Sequence, residues 1–539
     1  MKTLLAGVYL AAALILSTPP AMAASGLPST NVAWLPAATD ADVDRAFSQA
    51  RASKQPLLLY WGASWCPPCN QLKATLFNRQ DFAALSKSFV AVSVDGDRPG
   101  AQKLAQRFKV SGYPTLVLFN ADGKEITRLP GEVDAPQVMA VLQQGMAGGR
   151  PVKAVLADAL AGKPLPAGDW RMLAFYSWET DEQQLVPRGE VPGMLVQLAA
   201  TAPAADVDTT TRLWLQALAA SNEGQGVKPD AALRQRVLAV LADPVRSRSQ
   251  MDVLANGAVD ITRTLEPEAG PARTALVGTF DRRLQAFEAD ASLSRGDRMQ
   301  ALYARVELAR LDQPKSTLKP QLPAALLQDV RSHVARADRE ITDGYERQAV
   351  ITAGAATLSY AGLWADSEAL LKANLAKSNS PYYLMSQLGG NARKQGRNEA
   401  ALGWYQKAFE TSEGPATRLQ WGASYLAALV EMAPKDAARI EQTASKLYAE
   451  AAADSGSFEG RSARSLQRVG NKLDAWNHTG QHDAALRRLQ GQLRGVCSQL
   501  DSKVDAKTAG DSSAASADSP RAACETALKP LSKTTAPSA

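Results

Sequence analysis

Histidine is nearly missing from this chain: 539 residues carry three, His333, His478 and His482. The last two flank a glycine-containing turn and read as surface residues, so no histidine metal site is expected. Cysteine is scarce too, with four residues, Cys66, Cys69, Cys497 and Cys524. A zinc site would need Cys66 and Cys69 to meet a second close ligand pair, which Cys497 and Cys524 do not form. Past the first residues, no apolar run approaches the ~18–20 positions a membrane span requires, and a soluble mature protein is expected. Lys and Arg number 60 against 54 Asp and Glu, a net charge of +6, with no dense basic block interleaved with aromatics. Nucleic acid is therefore not an expected partner. No phosphate loop, nucleophile elbow or haem-attachment CxxCH motif occurs.

What remains is an ordinary globular composition, 45% hydrophobic and 21% charged, on a chain too long for one core, so two to four domains are expected. Lys2, the apolar run Leu4 to Leu16, the Pro19-Pro20 break and the small-residue site Ala21-Met22-Ala23 form a secretory signal pattern with cleavage after Ala23. The competing reading is an uncleaved anchor, which the short apolar run and good cleavage site disfavour. Export to the periplasm is the expectation, and it changes the meaning of the cysteines. Outside the cytoplasm thiols are either catalytic or oxidised into structural bridges.

Residues 24–39 read as a loose segment, followed by alternating strand and helix patterns over 40–148. Helices are expected over Asp40–Ala52, Cys66–Phe77, Gly100–Phe108 and Ala135–Met146, and strands over Leu57–Trp61, Phe89–Val94, Thr115–Phe119 and Glu125–Leu129. Asp122-Gly123 marks a turn between the last two strands. This βαβ then ββα order calls for a mixed sheet with helices on both faces. Residues 149–168, rich in Gly and Pro, read as a linker, and 169–350 as an α-helical domain.

Over 351–495 the helical pattern repeats. Gly396-Arg397-Asn398-Glu399-Ala400-Ala401-Leu402 recurs as Gly480-Gln481-His482-Asp483-Ala484-Ala485-Leu486, and a looser copy follows Gly362. With Leu388-Gly389 before the turn and Ala401, Tyr405 and Ala408 after it, this segment resembles tetratricopeptide repeats. The resemblance implies stacked helical hairpins with a concave surface suited to a bound peptide or protein. A solenoid that only supports the first domain is the alternative. Residues 496–539 form a polar, cysteine-flanked tail.

Chemistry concentrates in Trp65-Cys66-Pro67-Pro68-Cys69, at the end of an apolar strand and the start of a helix. Cysteines at i and i+3 share a helical face, within the ~5–6 Å Cα separation of a disulfide. A Cys66 thiolate would sit at the helix N-terminus, where unpaired amides favour negative charge, which makes Cys66 the attacking thiol and Cys69 the resolving one. Pro67 suits the first helical position, and Pro68 removes a further donor. Fewer donors around the sulfur point to a reducing rather than strongly oxidising couple.

Leu58-Leu59-Tyr60-Trp61-Gly62-Ala63-Ser64-Trp65-Cys66-Pro67-Pro68-Cys69 and Ser111-Gly112-Tyr113-Pro114-Thr115 resemble the active-site strand and cis-proline loop of the thioredoxin superfamily. The run from Cys69 to Phe77, with Phe82, is most similar to the C-terminal domain of bacterial thiol:disulfide interchange proteins. The resemblance covers about residues 40 to 146. It implies a cis bond at Pro114, substrate docking by Trp65, Tyr113 and Pro114, no cofactor beyond the redox-active disulfide, and electron flow to exported proteins bearing thiols or disulfides from an unidentified donor. Two features depart from the family. Tyr60 stands where many relatives bury a carboxylate that accepts the second cysteine's proton, serving either strand packing or turnover, and no proline follows in the helix to kink it.

The expected function is an exported thiol-disulfide oxidoreductase that reduces or isomerises disulfides in partner proteins. The alternative is a helical-repeat scaffold or chaperone whose thioredoxin-like domain mainly binds peptide. Cys497 and Cys524 are expected to form a structural disulfide closing the polar loop around Asp511 to Ser516; a second redox pair is the other reading.

Overall fold

The computed structural model describes residues 32–505 and 519–532, except 132, 183, 222–225 and 455. The expected signal peptide and the Asp511-to-Ser516 run lie outside the described residues.

Period-2 burial organises the first domain. In strand β2 (Leu57–Gly62), Leu57, Leu59 and Trp61 enter one core cluster and Leu58 and Tyr60 another, so the strand is apolar on both faces and must be covered on both. It lies inside a five-stranded mixed sheet ordered β1-β3-β2-β4-β5. Strands β1 (Leu35–Ala37) and β3 (Val90–Asp95) run parallel to their neighbours, while β4 (Thr115–Phe119) and β5 (Glu125–Pro130) are antiparallel. Helices α1 (Asp40–Ser53) and α4 (Ala101–Arg107) cover one face; α2 (Pro67–Leu72), α3 (Gln80–Leu85) and α5 (Ala135–Met146) belong to the other. Thr39 opens α1 with a capping box to Asp42.

Two local differences from the sequence expectations have physical causes. The segment before α1 is not wholly loose: β1 pairs with β3, held by the buried Trp34 ring against Tyr60 and Phe77 at 5.9 and 5.1 Å. The helix expected over Cys66–Phe77 is α-helical only through Leu72 and then widens into a π-helical turn, Lys73–Phe77. Thr75 donates its hydroxyl back to Gln71 O at 2.8 Å there, the kind of side-chain competition that loosens a helical ladder.

Beyond α5 every named element among the described residues is helical. Helix Val152–Leu160 occupies the stretch read as a linker, and the cluster that fills the α5 face of the sheet continues through Leu173, Leu218, Phe280 and Leu426 to Leu531. Change of secondary structure near residue 150 is thus not a break in the core. Gly362, Gly396 and Gly480, the glycines of the repeated turn, have φ of 80°, 71° and 78°, the left-handed region that a side chain would strain. Helices Pro381–Lys394 and Asn398–Thr411 form an antiparallel pair in which Gly389 lets the Tyr405 ring approach: a Cβ there would meet that ring at 2.9 Å.

Candidate functional site

Cys66 ends the loop after β2 and caps α2. It forms a disulfide with Cys69, with 5.2 Å between Cα atoms, and the Cys69 amide donates to Cys66 Sγ at 3.2 Å. Asn70 fixes the loop, donating from Nδ2 to Ser64 O at 2.7 Å and Cys66 O at 2.8 Å. Cys66 is 3% exposed and Cys69 fully buried.

Tyr113 and Pro114 lie across a cis peptide bond at the start of β4. The Tyr113 ring stacks on Trp61 (5.9 Å, 3°) and meets Trp65 edge-on at 6.0 Å. Its hydroxyl accepts from Gln102 Nε2 at 3.0 Å. Burial pushes the Tyr113 phenol up to about 12, so it stays a neutral hydroxyl. The structure therefore brings Trp65, Cys66, Cys69, Tyr113 and Pro114 into one neighbourhood, and puts Cys497 and Cys524 in a separate disulfide between helices Asp483–Asp505 and Pro520–Leu528, with 5.7 Å between Cα atoms.

Residues absent from the sequence reading complete the surroundings, and most come from the helical region. Trp65 Nε1 donates to Asp97 at 2.6 Å. Arg461, on helix Gly460–Trp476, pairs with Asp97, and its guanidinium lies 5.2 Å from the ring centroids of both Trp65 and Tyr113. Tyr383 stacks on Trp65 at 5.9 Å, Trp421 meets it edge-on at 6.2 Å, and Gln348 Nε2 donates to its carbonyl at 3.2 Å. Burial opposes charge on Arg461, but Tyr113, Asp97 and Asp95 more than offset it and hold the guanidinium protonated. Arg461 and Asp97 are 364 positions apart, so no local pattern could have paired them.

Tyr60 is buried between the Trp34 and Phe77 rings, its hydroxyl without a hydrogen-bond partner, and burial pushes its phenol well above the usual range. It cannot take up a proton as a carboxylate would. Asp97, paired with Arg461, is the buried carboxyl of this neighbourhood, and half-buried Asp95 sits at the end of β3 beside Gly62. Burial and the nearby Asp97 push it up to about 6, against the pull of Lys73. Lys73, four residues after Cys69 and over the Tyr345 ring at 5.1 Å, has its own pKa lowered by burial. A carboxylate two residues before Asp97 at a strand end was the one signal the sequence offered. Among the described residues, no group of three or more His, Cys, Asp or Glu could hold a metal, and no helix is long and apolar enough to cross a membrane.

Comparison with known proteins places this geometry. Residues 43–146 match the family model of the thioredoxin-like domain. Thiol:disulfide interchange protein DsbD 2 of Pseudomonas aeruginosa is 31% identical over 116 residues, 21% of this chain and 20% of that protein. Thiol:disulfide interchange protein DsbD of Klebsiella pneumoniae is 31% identical over 148 residues, 26% of this chain and 24% of that protein. A solution structure of a thioredoxin from Thermus thermophilus shares 28% sequence identity, covering 22% of this chain and 90% of that one, with a TM-score of 0.20. The chain spans about a fifth to a quarter of the length of the curated relatives it matches. Residues 43–146, with Cys66 and Cys69 at the head of α2, are a thioredoxin-like domain followed by a large helical region.

Proposed function

We propose that this chain is an exported thiol-disulfide oxidoreductase that reduces or isomerises disulfides in partner proteins. The observation that carries the reading is the Cys66–Cys69 pair at the head of α2, with the Cys69 amide donating to Cys66 Sγ. That hydrogen bond and the open end of the helix favour a thiolate at Cys66 once the pair is reduced. The thiolate attacks one sulfur of a substrate disulfide, forming a mixed disulfide and expelling the other sulfur as a thiolate. Cys69, on losing its proton, attacks Cys66 Sγ, which frees the second substrate sulfur and restores the Cys66–Cys69 disulfide. Two electrons pass to the substrate, and an external dithiol must return two to the pair. For isomerisation the freed substrate thiolate attacks another substrate disulfide, and the thiolate this releases attacks the substrate sulfur bound to Cys66, expelling the Cys66 thiolate with no net electron transfer.

Trp65, Tyr113 and Pro114 would dock the substrate strand beside Cys66 once the helical region that packs Gln348, Tyr383, Trp421 and Arg461 around Trp65 draws back. The helical region, with its tetratricopeptide-like hairpins at 351–495, would select or hold the partner, while Cys497–Cys524 serves as a structural bridge. Export rests on the Lys2, Leu4-to-Leu16 and Ala21-Met22-Ala23 pattern.

Insulin reduction by dithiothreitol tests the reading. The chain without residues 1–23 should accelerate insulin precipitation, and Cys69→Ala should accumulate mixed disulfides at Cys66. Failure of both would leave the helical scaffold as the better description.

A further inference from the structure

The exchange cycle leaves one proton unassigned: Cys69 must lose its own before it can attack Cys66. Tyr60, in the same apolar cluster, cannot take it, because burial keeps that phenol protonated. One helical turn past Cys69 stands a second buried titratable group. Cys69, Leu76 and Phe77 share a fully buried, apolar face of the helix, and Lys73 lies between them at 3% exposed. The Lys73 amide still donates to Cys69 O, which keeps the two residues one α-helical turn apart on one face. A long side chain on a helix leans back over the turn N-terminal to its own Cα, and for Lys73 that turn is the one carrying Cys69.

No partner holds this amine as an ion. Among the described residues Lys73 has no ion pair, and no oxygen accepts a hydrogen bond from it. Nζ lies 5.1 Å from the centroid of the Tyr345 ring, on helix Gly344–Tyr360, so the helical region helps to keep it dry. From the sheet side Asp95 attracts the ammonium. One oxygen of Asp95 is already taken by the Asp97 amide at 3.0 Å, and its charge is shared with Arg98; Asp97 in turn pairs with Arg461. Burial outweighs Asp95 and lowers the Lys73 pKa, which makes the neutral amine easier to reach than on an exposed lysine.

We propose that Lys73 is the base for the resolving cysteine. The neutral amine takes the proton from Cys69 Sγ; the S–H bond breaks and an N–H bond forms. The resulting thiolate attacks Cys66 Sγ, forming the Cys66–Cys69 bond and breaking the one to the substrate, whose sulfur leaves with the electron pair as a thiolate. When an external dithiol reopens the pair, Cys69 leaves as a thiolate and the Lys73 ammonium returns the proton. Asp95 faces the ammonium while it exists. The proposal rests on the exchange reading, and its test separates the two.

The chain without residues 1–23, reduced at Cys66 and Cys69, is mixed with 5,5′-dithiobis(2-nitrobenzoate) in a stopped flow. Attack by Cys66 releases one thionitrobenzoate, and attack by Cys69 on the mixed disulfide releases the second, so the two steps are read separately. At pH 7, Lys73→Met should slow the second release about a hundredfold, the scale of general base catalysis, and leave the first within about twofold. Lys73→Arg keeps the charge but cannot accept a proton, and should be as slow. With rising pH the second release should level off earlier in wild type than in Lys73→Met, where Cys69 must ionise unaided. These profiles decide the matter if Lys73→Arg does not fold. An unchanged second step in Lys73→Met, wild-type speed in Lys73→Arg, equal slowing of both steps, or a larger loss in Asp95→Asn would each overturn this proposal alone. A wild type that releases no thionitrobenzoate would overturn the exchange reading, and this proposal with it.

Discussion

The chain carries two disulfides, one near each end, built on opposite plans. Cys66 and Cys69 are three residues apart at the start of one helix, with a backbone amide on the sulfur and aromatic rings, an arginine and carboxylates around them. Cys497 and Cys524 are 27 apart and join two helices; Cys524 is fully buried. Closing a three-residue step constrains the unfolded chain little, whereas closing a loop of some 27 residues constrains it by roughly 3.6 kcal/mol. Conversely, thiolate-stabilising surroundings matter for exchange and add nothing to a staple. From this contrast we propose reactivity for the first bridge and stability for the second.

The sharpest way to break that contrast is to delete each in turn. Cys66→Ser should lower insulin reduction on the order of a thousandfold, since no other cysteine of the chain sits at a helix head. The double change Cys497→Ser and Cys524→Ser should leave it within about twofold. Comparable losses from both would erase the distinction.

Next in size is Arg461→Ala, read by chemical denaturation. It leaves Asp97 buried opposite Trp65 without its cation, and should cost about 4 kcal/mol. It should also raise the alkylation rate of reduced Cys66, because the cover over Trp65 loosens; an unchanged rate would show that the helical region does not shield the site. Removing the C-terminal bridge should cost slightly less, about 3.6 kcal/mol, and lower the melting temperature without altering Cys66 reactivity.

The smallest effect concerns Asp95. Its carboxyl is pushed up to about 6 in the folded protein, from 3.8, so the folded state holds that proton more firmly than the unfolded one. The resulting stability is full below about pH 4 and is lost as the pH rises through 6. Asp95→Asn, which never ionises, should therefore be more stable than wild type at pH 7 by about 1 kcal/mol, after allowing for the lost attraction to Lys73. At pH 4 the difference should vanish. A variant less stable at pH 7 would mean that the charged carboxylate is a net support.

Local features were readable from sequence because their causes are local. The apolar run Leu57 to Trp61, the Asp122-Gly123 turn and the Cys66-Pro67-Pro68-Cys69 spacing each act within a few residues, and the mixed sheet with its helices follows from them. Strand β1 escaped because three residues carry too little periodicity and its anchor, Trp34, binds through Tyr60 and Phe77. The π-helical turn after Leu72 escaped because no proline or glycine marks it. Half of the site was beyond reach for a different reason. Trp65 is enclosed by Gln348, Tyr383, Trp421 and Arg461, four residues from four helices that only the tertiary fold brings together. Their types are unremarkable where they stand in the chain.

A redox titration with residue-level mapping tests the central claim most directly. The full protein is equilibrated in dithiothreitol and glutathione buffers of stepped potential, free thiols are alkylated, and each cysteine is quantified by peptide mass. Cys66 and Cys69 should open together, with a midpoint nearer about −270 mV than about −120 mV, because the Pro67-Pro68 pair offers the Cys66 thiolate few donors. Cys497 and Cys524 should stay joined at that potential. Opening of Cys497–Cys524 first, or a Cys66–Cys69 bridge still closed when the other has opened, would contradict the account.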